Sequence, residues 1–154
     1  MNDTQNQTKK NVVDHLSQLL ASTYTLYLKT QNYHWNVTGP WFQSLHALFE
    51  QQYTELASAV DEIAEHIKAL GAHAPGSYAV YGKLSVIKEA NDTNHPEAKV
   101  MLQHLVADHR ALIELINHGV AVADHALFQT TMDLLVRRSQ VHEKSLWMLN
   151  SSLG

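Results

Sequence analysis

Cysteine is absent from the 154 residues. With it go disulfides, thiolate zinc sites and iron–sulfur clusters, a pattern that fits a reducing compartment. Punctuation is sparse as well, with six glycines and three prolines, so each one that interrupts a periodic stretch carries weight. No run of about 18 apolar residues is present to read as a membrane helix. The opening MNDTQNQTKK has no apolar core of a secretion signal, and the expectation is a soluble, unexported protein. A net charge of −4 argues against a domain whose whole surface is built to grip nucleic acid, although a local basic tail is compatible with it. What the chain has in abundance is histidine, eleven residues, a count that includes surface and capping positions.

The length suits one domain with a single hydrophobic core. From Asn11 to Trp35 the apolar positions Val12, Leu16, Leu19, Leu20, Tyr24, Tyr27 and Leu28 keep helical spacing, and the pair Gly39-Pro40 should stop that helix. A second helix is predicted from about Trp41 to Leu70, with Leu45, Phe49, Leu56, Ile63 and Ile67 on one stripe and Gly71 as its stop. Residues 71 to 95 lose the period, with room for a short helix within Val80–Glu89. Pro96 opens a third helix that Gly119 should close near Ala121, and a fourth runs from about Ala126 to Leu149. The expectation is an all-α, ferritin-like four-helix bundle: residues 11–154 as a single domain, a long crossover with a short helix between the second and third helices, and residues 1–10 as a flexible N-terminal tail. That outline is shared by several families, so it speaks to fold and not to function.

Candidate ligands gather around the first turn: His34, then His46, Glu50, Asp61 and Glu65. Imidazole together with carboxylate oxygen suits ferrous iron. His46 with Glu50, and Asp61 with Glu65, are each four apart and share a helix face. At about 100° per residue this face points roughly 130° away from the core stripe. The usual di-iron bundle uses inward-facing Glu-x-x-His motifs, and no glutamate here has a histidine three residues later. A solvated polar face is the competing account of these carboxylates.

The stretch YHWNVTGPWFQSLHALFEQQYTELASAVDEIAEHIKALG, Tyr33 to Gly71, closely resembles the signature of Dps-type mini-ferritins, and the helical outline extends the likeness to nearly the whole chain. The signature combines a His-Trp pair, a second histidine twelve residues on and an Asp-x-x-x-Glu pair fifteen further. The closing RRSQVHEKSLWMLNSSL also looks familial, with His142 and Glu143 read there as structural. The resemblance implies that His34, His46, Asp61 and Glu65 are ferroxidase ligands. Glu50 stands where the family often has aspartate, which leaves open whether it binds iron directly, through water or only to a second iron. Also implied are up to two iron ions per site, hydrogen peroxide as favoured oxidant with dioxygen slower, a twelve-subunit hollow shell holding ferric mineral, and a bacterial cytoplasmic or nucleoid location. Trp35, beside His34, could donate an electron or intercept a radical, or simply pack.

Helix geometry bears on the same residues independently. His46 and Asp61 lie about 22 Å apart along a straight helix and cannot hold one ion. Two antiparallel copies of the second helix about a two-fold axis near Tyr53 and Thr54 would bring His46 of one chain to the partner's Asp61, and the small Thr54, Ala57 and Ser58 would permit close approach. Asp124 and Asp133 are candidates for a cation access route, and a solvated helix start accounts for them equally. A DNA-compacting protein is the second functional reading, using Lys9 and Lys10 of the tail multiplied over a shell. A purely structural bundle with incidental histidines is the third.

Overall fold

The computed structural model describes residues 2–154, and in that range the chain forms five helices: α1 Asp3–Asn36, α2 Phe42–Ala69, α3 Tyr78–Leu84, α4 Ala98–His125 and α5 Gln129–Leu153. The α1–α2 and α4–α5 hairpins pack into a bundle through α1 against α4, while α2 and α5 meet only sparsely. The short α3 lies on α1 within the crossover that joins the two hairpins. This is the expected all-α, ferritin-like bundle. The apolar stripes meet in one core, including Leu16, Leu19, Leu20 and Leu26 of α1, Phe49 and Ile63 of α2, Leu105 and Leu112 of α4, and Leu149 of α5. At about 25 cal/mol per Å² of apolar surface, such side chains stabilise the fold by roughly 1.5–3 kcal/mol each, offset by ordering entropy.

Four boundaries differ from the sequence expectation. Helix α1 begins at Asp3 rather than Asn11, because Asn2 and Gln5 form a reciprocal capping box ahead of any apolar periodicity. Residues 3–10 are thus helical, and Lys10 pairs with Asp14 one turn on. The crossover helix starts earlier than Val80 and ends at Leu84, with the Ser77 hydroxyl capping it by accepting from the Val80 amide. Gly119 does not close α4, which continues to His125. Instead it makes room for α1: a Cβ at residue 119 would stand 2.1 Å from Nε2 of the buried His15. Finally, α5 runs on to Leu153.

The Gly71 stop is as expected. Its φ of 79° allows the amides of Gly71 and Ala72 to reach back to the carbonyls of Lys68 and Ile67, a Schellman ending. Gly39, with φ 106°, turns the chain between α1 and α2. A buried ion pair, Lys29 with Asp108 at 2.8 Å, ties α1 to α4, and Lys29 also donates to the carbonyl of Lys88 in the crossover. Together these contacts hold the crossover along α1 and leave the outer face of α2 uncovered.

Candidate metal centre

The short turn from α1 to α2 brings the last turn of one helix against the first turn of the next, and there His34 meets His46. Their rings stack at 3.8 Å between centroids with 14° between planes. Each Nδ1 lies 2.7 Å from the other residue's backbone carbonyl oxygen. A carbonyl can only accept, so Nδ1 carries the hydrogen in both rings and Nε2 is left with its lone pair. This is the arrangement by which an outer hydrogen bond orients a metal-ligating imidazole. Phe42 stacks on His46 at 5.0 Å and Tyr53 presents its ring edge-on to His34 at 5.1 Å. His34 is buried, His46 half-buried.

The carboxylates stand apart from this pair. Glu50, Asp61 and Glu65 are exposed on α2, while the core stripe of that helix is buried. Among the described residues no group of three or more histidines and acids is brought within reach of one metal ion. The structure therefore joins His34 to His46 and leaves Asp61 and Glu65 four to five turns farther along α2. One chain holds the two halves of the candidate site at separate places.

Other predicted positions fall as follows. Trp35 is 60% exposed at the end of α1. Asp133 lies exposed near the start of α5 and pairs with Arg137, which also binds Glu62 of α2. Asp124 lies in the last turn of α4 rather than at the start of α5, so a favourable helix-start position does not account for it. Lys9 approaches Gly71, its Nζ 3.5 Å from the Cβ position there. Both lysines thus belong to a helix.

A second histidine pair lies inside the bundle. His109 of α4 and His142 of α5 share an Nδ1···Nδ1 hydrogen bond of 2.9 Å. Arg138 approaches Nε2 of His142 at 3.2 Å and forms a two-pronged pair with Glu55 of α2. Burial holds His109 down at about 3, the Arg138 charge adding to the effect, and it pushes His142 well below the usual imidazole range with help from His109 and Arg138. Neither histidine can take a proton there without placing a second cation beside Arg138. Spacing along the chain links only Arg138 and His142, four apart on α5, so the contacts with Glu55 and His109 are not legible in the sequence. Only a structural part for His142 was expected, and full burial agrees with it.

The Ferritin-like domain family matches residues 13–154, which makes the class of protein ferritin-like on sequence as well as on architecture. A low temperature-induced protein of Nostoc is 40% identical over 93% of this chain and 80% of its own length. DNA protection during starvation protein 2 of Bacillus anthracis is 34% identical, over 94% of this chain and 98% of its own. The Dps of Bacillus brevis superposes with a TM-score of 0.93 over all of both chains at 32% identity, and that of Thermosynechococcus elongatus at 0.95 over 99% and 96% of the two chains, at 29%. The Dps structure from Vibrio cholerae, 32% identical with a TM-score of 0.91 over 96% of this chain and 92% of its own, is described as a member of a broad superfamily of ferritin-like diiron-carboxylate proteins. The chain belongs to the Dps-type mini-ferritins.

Proposed function

We propose that the protein oxidises ferrous iron at sites built by two copies of the chain and stores the ferric product inside a hollow oligomer. The observation that carries this reading is the reciprocal bonding of His34 and His46. It engages Nδ1 of each ring and leaves Nε2 as the nitrogen with which each ring can bind a metal ion. Imidazole nitrogen with carboxylate oxygen is the donor set for ferrous iron, and the open positions admit an oxidant. His34 and His46 supply the nitrogen side, and the partner's Asp61 and Glu65 supply oxygen across the two-fold axis. Glu50, one turn beyond His46, lies beside a second ion. Iron here is the substrate, and hydrogen peroxide is the favoured oxidant, with dioxygen slower.

Several further statements belong to the same proposal. The oligomer is a dodecamer assembled from two-fold dimers, its mineral withholds iron from radical chemistry near DNA, and it works in the bacterial cytoplasm. No helix among the described residues is long and apolar enough to cross a membrane. Direct DNA compaction through the N-terminus is the less favoured reading, since residues 3–10 continue α1 and Lys10 already pairs with Asp14.

Complementation tests the shared site. His46→Ala and Asp61→Ala should each be inactive, yet unfolding the two together and reassembling them should restore roughly a quarter of wild-type oxidation: half the dimers are mixed, and each mixed dimer keeps one intact site. Verified mixed assemblies that stay inactive would remove the proposal.

A further inference from the structure

Aromatic rings run without a gap from the His34–His46 pair to the far side of α1. His34 meets Tyr53 of α2 at 5.1 Å between centroids, Tyr53 meets Tyr27 of α1 at 6.1 Å, and Tyr27 meets Tyr24 at 5.7 Å. Tyr24 then contacts two tyrosines of α3, Tyr81 at 5.1 Å and Tyr78 at 6.4 Å. Every step lies within the roughly 4.5–7 Å of aromatic rings in contact. Five of the six tyrosines in the chain belong to this run, a concentration that a scatter of packing residues does not produce. The sixth, Tyr33, turns to another face and bonds His104.

The ends of the run differ chemically. Tyr53, Tyr27 and Tyr24 are half-buried, whereas Tyr78 is 76% exposed. Tyr81 is buried, and its hydroxyl donates to the carbonyl of Pro75 at 2.7 Å. A carbonyl cannot take up the proton that a phenol must release when it loses an electron, so Tyr81 is the poorer terminus. Solvent around Tyr78 can take that proton. A cavity of about 260 Å³ lined by Tyr24, Tyr78 and Tyr81 opens beside this end, giving small reductants access.

We propose that Tyr53, Tyr27, Tyr24 and Tyr78 form a relay that carries one oxidising equivalent from the iron site to solvent. The inference rests on the ferroxidase reading above. Peroxide is a two-electron oxidant, so a site holding one ferrous ion can supply only half of what peroxide takes. That ion gives one electron, the O–O bond breaks, and the products are ferric ion, hydroxide and a hydroxyl radical. Tyr53 then gives a hydrogen atom to the radical, forming water and a tyrosyl radical. Each hop returns a hydrogen atom to the earlier ring and oxidises the next. At Tyr78 a dissolved ferrous ion donates an electron, a proton is taken up from solvent and the phenol is restored, while a second proton converts the hydroxide to water. The sum is two ferrous ions, one peroxide and two protons giving two ferric ions and two waters. The relay thus completes the reaction when the second iron is absent, with no hydroxyl radical released.

The test uses the assembled full-length protein loaded with less than one ferrous ion per site, mixed with hydrogen peroxide and freeze-quenched for electron paramagnetic resonance. The wild type should show a tyrosyl signal, narrowed by ring-deuterated tyrosine, that added ferrous ion discharges. Tyr27→Phe keeps the ring packing but removes the oxidisable hydroxyl. It should leave the radical on Tyr53 and slow its discharge at least several-fold, with ferrous oxidation at full loading unchanged. Tyr78→Phe should strand the signal on Tyr24. Discharge in Tyr27→Phe as fast as in the wild type would overturn the relay and return these tyrosines to packing. So would a wild type that oxidises iron without any tyrosyl signal. A wild type that fails to oxidise ferrous ion at all would overturn the ferroxidase reading and the relay with it.

Discussion

The molecule holds two histidine pairs, and they show how surroundings decide what an imidazole can do. At the α1–α2 turn, His34 and His46 give their Nδ1 hydrogens to backbone carbonyls and keep Nε2 free. In the bundle, His109 and His142 bond to each other through Nδ1, with Arg138 against Nε2 of His142. The first pair has only backbone as its partner and so retains a donor atom for an incoming ion. The second is committed to side chains from α2, α4 and α5, beside a fixed positive charge that opposes any metal. In the proposed function the first pair binds metal, whereas the second ties α4 to α5.

The largest expected effect comes from breaking the inner pair. His142→Ala should destabilise the protein by about 3 kcal/mol or more, since it opens a cavity, leaves His109 buried without its partner and reduces Arg138 to its pair with Glu55. Denaturant unfolding of the assembled protein would measure it, while iron oxidation per folded site should be unchanged. If instead oxidation fell and stability held, the assignment of the two pairs would be reversed. At the outer pair, His46→Ala should slow ferrous oxidation by ~10–100-fold or more while helicity and assembly persist, as stopped-flow absorbance and circular dichroism would show.

Acid sharpens the contrast. His109 and His142 stay neutral in the folded chain, with His109 held down at about 3, but in the unfolded chain they take up protons near the ordinary 6.5. The unfolded state therefore binds more protons below that point. Stability should be full above about pH 6.5 and fall as pH drops toward 3. His15, lowered by burial to about 4, adds in the same direction. Asp108, which burial pushes up despite Lys29, works oppositely and returns part of the loss. Unfolding midpoints measured from pH 8 to 4 should fall in the wild type. They should fall less in His109→Gln, whose own starting stability is lower. Equal slopes would show that the inner pair does not set the acid response.

The smallest effect expected is at Gly119. Alanine there meets the His15 ring at 2.1 Å and should cost about 1–3 kcal/mol, read by thermal unfolding. In a His15→Ala background the same change should be harmless, because the clash is gone and the helix gains by losing glycine.

Periodicity made the bundle legible, since Leu45, Phe49, Leu56, Ile63 and Ile67 mark a core stripe for α2 that does not depend on any partner. Gly71 was legible for the same reason: a helix ending is local chemistry. Gly119 was misread because its purpose is the approach of His15, more than a hundred residues earlier. The start of α1 was missed because Asn2 and Gln5 cap it without any apolar repeat. Of the candidate site, the residue types and the separation of His46 from Asp61 could be read from spacing, while the reciprocal bonds of His34 and His46 could not. Those bonds depend on how the turn at Gly39 folds the two helix ends together, as the His109–His142 pair depends on the register between α4 and α5.

The length of α2 between His46 and Asp61 has a further consequence for the proposed site. A chain just released from the ribosome owns two half-sites and no whole one, so it cannot carry out iron chemistry while still alone. Activity at low concentration should rise with the square of the amount of chain, as pairs form, and become proportional to it once pairing is complete. In the proposed function the helix acts as an interlock, enabling oxidation only where a partner, and with it the start of a container for the product, is already in place.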